Sequence, residues 1–197
     1  MARSACGLET GDRLMSPWSI DLYLKASRFA CERHAGQKFK GTELPYFLHL
    51  SQVVGEVVHC LSAEEHLDGD SAIAMAWLHD TIEDTGVKRE DLVHAGFSEK
   101  VADGVVALTK NDELPKGDRM QDSIDRIIAH SREAAIVKLA DRITNLQPPP
   151  QDWKPPKVAQ YAEEAEVILE KLGYASRHMG ARFRLRLARY RAADWRH

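Results

Sequence analysis

Apolar residues recur at three- and four-residue spacing along almost the whole chain, and the few period-two stretches are short and lie inside stronger helical patterns. That periodicity commits the chain to helices packed on helices. Leu22, Ala26, Phe29 and Ala30 form the first stripe, which runs to about residue 36, with Ser16 and Pro17 reading as its cap and first helical position. A second stripe over about 50–61 carries Val53, Val54, Val57, Val58 and Leu61, and a third over 71–84 carries Ile73, Met75, Trp77 and Leu78. Further helices fit 88–95, 98–109, 118–131 and 133–146. Residues 36–46, GQKFKGTELPY, read as a lysine-rich loop, and 62–70 as an acidic linker. Pro148, Pro149 and Pro150, then Pro155 and Pro156, are unsuited to a helix interior. They predict an irregular stretch before two final helices over 157–172 and 175–193. No repeat or linker divides the chain, so the expectation is an all-α protein: a flexible N-terminus over 1–15, then a single domain over 16–197.

A chain of 197 residues buries roughly 70% of its surface on folding, enough for one self-sufficient core. Its 27 Lys and Arg against 30 Asp and Glu leave a net charge of −3, which excludes a generally basic nucleic-acid binder and a disordered acidic tail. The charge is uneven. Residues 171–197 carry eight Lys and Arg and one acid, and Arg182, Arg184, Arg186, Arg189 and Arg191 interleave with Phe183, Leu185, Leu187 and Tyr190. The pattern reads as a packed helix with a solvated basic face; a nucleic-acid or membrane-surface role is the competing reading. Cys6, Cys31 and Cys60 are odd in number and widely spaced, which argues for a reduced, cytoplasmic chain. No apolar run approaches the ~20 residues of a membrane span, and the first fifteen residues lack the apolar segment of a secretory signal.

Nine histidines direct attention to metal and acid–base chemistry. The densest cluster is His79-Asp80-Thr81-Ile82-Glu83-Asp84, which follows Ala72, Ala74, Ala76, Trp77 and Leu78. On a helix, His79 and Glu83 fall one turn apart, as do Asp80 and Asp84. Four ionisable groups closing an apolar segment would be unpaired buried charges in a plain core helix, so the cluster reads as a site. Asp141, at the end of Val137-Lys138-Leu139-Ala140-Asp141-Arg142, reads on its own as an ion-pair partner of Arg142 or Lys138. His49, among aromatic and apolar neighbours, reads on its own as a core histidine. Together His49, His79, Asp80 and Asp141 supply two imidazoles and two carboxylates, a set that suits Mn²⁺ or Fe²⁺ better than a thiolate-loving ion.

The order His … His-Asp … Asp resembles the HD phosphohydrolase superfamily. Four strings narrow the resemblance: His34-Ala35-Gly36-Gln37; Leu44-Pro45-Tyr46 running to His49; Ala76-Trp77-Leu78-His79-Asp80-Thr81-Ile82-Glu83-Asp84-Thr85; and Val137 to Leu146. Over about residues 20–172 they look like the hydrolase domain of the Rel/SpoT proteins and their stand-alone relatives, the small alarmone hydrolases. The chain is short for an added synthetase domain and reads as the stand-alone type.

The resemblance implies an HD-domain helical bundle with its metal site between helices, and one divalent ion, usually Mn²⁺, on His49, His79, Asp80 and Asp141. Glu83 and Asp84 match the acids that orient and deprotonate the attacking water. Asn145, Lys40 and Tyr161, with Lys157 before it, match nucleotide contacts. Lys38, and more remotely Lys116, are further candidates to offset substrate charge. The implied reaction removes the 3′-pyrophosphate from (p)ppGpp to give GDP or GTP. Such an ester needs a stronger nucleophile than water and neutralisation of developing charge, which a divalent ion supplies. Two positions depart from the family pattern. Leu50 replaces a common proline, and Phe39 stands where arginine is usual. A phenylalanine stacks on either purine, which adds adenine alarmones such as (pp)pApp to the expected substrates. The alternatives are a general HD nucleotidase acting on 5′-phosphates, or a nucleotide-sensing or RNA-binding module. The intact acid pair and the acidic body favour the alarmone hydrolase, with no membrane or nucleic-acid partner and no oligomeric state assigned.

Overall fold

The computed structural model describes residues 18–150 and 152–193. Ten α-helices occupy them: α1 (Ile20–Arg33), α2 (Phe47–Leu61), α3 (Gly69–Leu78), α4 (Thr81–Thr85), α5 (Arg89–His94), α6 (Glu99–Leu108), α7 (Arg119–His130), α8 (Arg132–Asn145), α9 (Pro155–Leu172) and α10 (Arg177–Ala192), with a 3₁₀ turn at Gly173–Ala175. Among the described residues the one extended pairing is an antiparallel bridge between Lys38 and Pro45, which closes the loop between α1 and α2. The all-α expectation holds.

Helix α3 is the axis of the bundle. Every residue of it except Asp70 is buried, and it packs against α1, α2, α6 and α8. A helix that is apolar all round belongs inside a protein, and its alanines at 72, 74 and 76 let four neighbours approach closely. Helices α2 and α8 also pack on each other. Their buried stripes, Leu50, Val53, Val54 and Val57 on α2 and Ile136, Leu139, Ala140 and Ile143 on α8, complete the core. His49 therefore starts one core helix, His79 ends a second, and Asp141 lies near the end of a third.

Three of the differences from the sequence reading have a clear local reason. Helix α1 starts at Ile20, where the Ser19 hydroxyl accepts the Leu22 N–H at 3.3 Å; Ser16, Pro17, Cys6 and the whole of 1–15 lie outside the described residues. The expected helix over 71–84 is two helices broken at His79–Asp80. There the His79 ring bonds the Ala76 carbonyl at 2.8 Å and the Thr81 hydroxyl donates to the Leu78 carbonyl at 2.7 Å. Those side chains satisfy carbonyls that a continuing helix would have used. Pro155 and Pro156 open α9 instead of preceding it, because backbone N–H groups in the first turn have no intrahelical partner for a proline to forfeit.

The basic C-terminal helix is a packed element. Phe183, Leu187 and Tyr190 are buried against the core. Glu64, in the acidic linker, accepts bonds from the Ser176 hydroxyl at 2.7 Å and the His178 N–H at 3.2 Å. Arg132 ties the same glutamate to the Ala175 carbonyl. Arg182 makes a two-pronged pair with Glu56, which is buried on α2. Arg182→Ala strands that carboxylate and costs about 2 kcal/mol, less than a fully buried pair because part of the guanidinium stays in water. A thermal melt should show Tm lower by roughly 4–8 °C; an unchanged Tm would dismiss the pair as a stabilising contact. No helix among the described residues is long and apolar enough to cross a membrane.

Candidate metal centre and substrate cleft

The meeting of α2, α3 and α8 brings one ligand atom from each of His49, His79 and Asp141 within 4.8 Å of one another. The tautomer of His79 follows from its partner. A carbonyl only accepts, so the nitrogen 2.8 Å from Ala76 O, Nδ1, carries the proton and Nε2 presents a lone pair. That buried Nε2 makes no hydrogen bond, although Asp80 Oδ2 lies 2.9 Å away and Asp141 Oδ1 4.0 Å. His49 Nε2 lies 3.5 Å from Asp141 Oδ1 and 3.6 Å from Asp80 Oδ2. Asp80 thus stands against the trio, its Oδ2 accepting the Tyr46 hydroxyl at 2.5 Å.

Lone pairs and carboxylates facing each other at these distances require positive charge between them. The titration behaviour says the same. Burial opposes protonation of His49, but the bonds and charges of Asp141 and Asp80 outweigh it and push its pKa up to about 9. Against burial, the adjacent Asp80 also raises His79. Burial would raise Asp80 and Asp141, yet His79 and His49 hold the first, and Lys138 with His49 the second, well below the usual carboxylate range. The donor set, two imidazole nitrogens with carboxylate oxygen, fits a divalent cation.

Each carboxylate of the site has its own holder. Lys138 Nζ reaches Asp141 Oδ2 at 3.2 Å and Asn145 Nδ2 donates to Oδ1 at 2.6 Å. Lys110 grips both oxygens of Glu83, through Nζ at 2.6 Å and through its backbone N–H at 3.2 Å. Gln37 Nε2 donates to Asp84 Oδ2 at 2.8 Å. Burial raises the pKa of Asp84, Gln37 works against that, and the charges of Asp80 and Glu83 add to the rise. Burial would lower Lys110, but Glu83 outweighs it, so the ammonium stays charged. With both imidazoles neutral, as a metal ligand must be, four carboxylates face two ammonium groups, an imbalance that one divalent ion would remove.

Beside this centre lies a cleft of about 960 Å³ whose walls include Phe39, Lys40, Lys110, Asn145, Trp153 and Tyr161. It is of a size to take a nucleotide. Phe39 lies parallel to the His49 ring, centroids 5.5 Å apart at 14°, and so joins cleft to metal centre. Trp153 meets the edge of Tyr161 at 5.2 Å. The ammoniums of Lys157 and Lys40 stand 4.3 and 5.4 Å from the Trp153 centroid.

The structure therefore gathers His49, His79, Asp80, Asp141, Glu83 and Asp84 at one end of the bundle, with Lys40, Asn145 and Tyr161 in the cleft and Lys157 at its rim. Lys38 is exposed, paired with Glu43 and absent from the cleft wall; Lys116 is exposed and also absent. Asn145, expected as a nucleotide contact, also holds Asp141. The sequence reading offered Lys138 as an ion-pair partner of Asp141, and the structure shows that pair; it missed Lys110, Gln37 and Trp153 in these positions. An aromatic residue stranded among five prolines, with no helix to bury it, was the available signal for Trp153. The rest depend on tertiary placement.

A family model described as HD domain matches residues 26–178. The guanosine-3′,5′-bis(diphosphate) 3′-pyrophosphohydrolase MESH1 of Danio rerio is 33% identical over 159 residues, 78% of this chain and 86% of its own length. The Homo sapiens protein of that name is 30% identical over 161 residues, 79% and 87% of the two chains. The GTP pyrophosphokinase rsh of Brucella abortus is 32% identical over 128 residues, 62% of this chain but 16% of its own length. A solved structure of a metazoan ortholog of SpoT that hydrolyses ppGpp superposes with a TM-score of 0.74 at 23% identity, over 87% of this chain and 96% of that one. It shares the fold.

Proposed function

The chain belongs to the HD domain family, and from that membership and the geometry of its site we propose that it removes the 3′-pyrophosphate of alarmone nucleotides. The products are the nucleoside di- or triphosphate and pyrophosphate. The observation that carries the reading is the convergence, at one end of α3, of an unpaired histidine nitrogen, facing carboxylates and an acid pair, beside a nucleotide-sized cleft. The similarity to the MESH1 proteins supports the substrate class.

His49, His79 and Asp141, with Asp80 against them, would hold the divalent ion, Mn²⁺ in this reading with Fe²⁺ as the alternative. When bound, such an ion acidifies water and draws charge from a phosphoryl oxygen. Asp84 takes the proton from the attacking water: one of its oxygens is held by Gln37 and the other makes no bond to the protein. Glu83 has both oxygens on Lys110 and instead keeps that ammonium at the cleft wall. Attack at the 3′-linked phosphorus breaks its bond to the ribose 3′-oxygen, which leaves with a proton while the water oxygen departs in pyrophosphate. Lys40, Lys157 and Tyr161 face the nucleotide, and Lys38 adds charge at the loop's outer edge. Phe39 offers a flat surface to either purine, which brings (pp)pApp into the substrate range. Residues 16–197 work as one hydrolase domain in this reading. The free Cys31 and Cys60 accord with a reducing, cytoplasmic setting.

The test is to incubate Mn²⁺-loaded protein with ppGpp, pppApp and a deoxynucleoside monophosphate and to identify the products by ion-exchange chromatography. Pyrophosphate release from the first two is the expected result. Orthophosphate from the monophosphate alone would replace this reading with a general nucleotidase. In the same assay Phe39→Arg shifts the ratio of kcat/KM toward the guanine substrate, and an unchanged ratio would remove Phe39 from purine selection.

A further inference from the structure

His34 closes α1 and is buried at 4% exposure, yet it is no part of the metal trio and lies outside the cleft wall. Its ring stacks on Tyr46, centroids 4.9 Å apart at 26°. Its Nδ1 lies 2.7 Å from Gln37 Oε1, and Gln37 in turn gives its amide nitrogen to Asp84 Oδ2 at 2.8 Å. The direction of this chain is set at the carboxylate end. As the carboxylate a base must be, Asp84 only accepts, so the Gln37 amide nitrogen faces it and the carbonyl oxygen faces His34, which makes Nδ1 the protonated nitrogen of that ring. Nε2 of His34 is buried without a hydrogen bond. A histidine kept only for packing would be expected to satisfy both buried nitrogens; this one satisfies the nitrogen that meets Gln37.

The backbone removes other freedoms from Gln37. Its N–H bonds His34 O at 3.0 Å, and its carbonyl accepts the Tyr46 N–H at 2.9 Å, with Gly36 at φ +83° making the turn between. What remains is rotation of the side-chain amide. A half-turn would present the carbonyl oxygen to Asp84, acceptor against acceptor, and release the carboxylate. A donor on the far side of the amide forbids that half-turn.

We propose that His34 and Gln37 are positioning residues acting in series: His34 fixes the orientation of the Gln37 amide, and Gln37 holds Asp84 so that its second oxygen is the one offered to the attacking water. The inference rests on the reading of Asp84 as the base of an alarmone hydrolase.

Four variants test it: Q37M, which keeps length and loses the donor; H34F, which keeps the stack on Tyr46 and loses Nδ1; H34N, whose amide nitrogen stands near the position of Nδ1; and the double variant H34F/Q37M. Pyrophosphate release from ppGpp, bound Mn²⁺ and Tm are measured for each. Q37M and H34F each lower kcat by about ten- to a hundredfold, as loss of orientation at a reacting group does, with KM and metal content within about twofold of wild type. The double variant is no slower than the slower single one, because both act through one contact, and H34N recovers most of the H34F loss. Multiplying losses in the double variant, a normal kcat in Q37M, or losses that follow metal content would overturn the inference while the wild type still turns over. A wild type that releases no pyrophosphate would overturn the proposed function and this inference with it. Gln37 is only partly buried, so Q37M and H34N decide the matter should H34F not fold.

Discussion

Asp84→Asn lowers kcat by about three orders of magnitude, within the 10²–10⁴ that a positioned general base contributes, while bound metal and KM stay within about twofold. Gln37 presents an N–H to Asp84 Oδ2. An asparagine there has to give its one oxygen to that donor, which turns its own NH₂ toward the place where a proton must be accepted. The substitution is nearly isosteric, and Asp84, on the short α4, is not one of the metal trio, so the fold and the ion should survive it. Steady-state kinetics with metal analysis of the purified variant decide the point. A kcat within tenfold of wild type would transfer the base role to Glu83, despite both of its oxygens being bonded to Lys110.

The second large effect is expected at Asp141. Its Oδ2 accepts from Lys138 and its Oδ1 from Asn145, so Asp141→Asn must set an NH₂ against one of two donors. It also leaves the Lys138 ammonium without its carboxylate. A change to an outer partner of a metal ligand typically costs ten- to a hundredfold in affinity, and a change to the ligand itself exceeds that. In the wild type, Mn²⁺ at a hundred times its Kd adds about 2.7 kcal/mol to stability, which raises Tm by roughly 5–11 °C in a domain of this size. The variant shows no such shift and no detectable turnover. An Mn²⁺-induced shift equal to the wild type's would take Asp141 out of the metal site.

These two residues show what the sequence reveals and where it stops. Asp141 and the His79–Asp84 cluster stand out because charge follows long apolar runs, and a run that ends in unpaired charge has few stable explanations. The stripes of α2 and α8 are equally legible from their spacing. The break at His79–Asp80 is not, because it depends on a ring and a hydroxyl taking carbonyls that propensity assigns to the helix. Pro155 and Pro156 mark a boundary, but which side of it they occupy depends on where α9 docks. The distinction between Glu83 and Asp84 is invisible in sequence, since it rests on Lys110 and Gln37, residues 27 and 47 positions away. Gln37 was in view as part of a family string; its hydrogen bond was not.

Because α3 is enclosed by four helices, His79 and Asp80 at its end are placed by the core, while the cleft is bordered by the 36–46 loop and the proline-rich stretch. Phe39, Lys40 and Trp153 belong to that border and contribute little to the core. In the proposed reading, selectivity among nucleotides can therefore drift through exchanges at the border without drawing on the folding free energy, much as interchangeable bits fit one fixed chuck. Relatives that share the buried axis but differ along those two segments should keep one chemistry and part company over the base they accept.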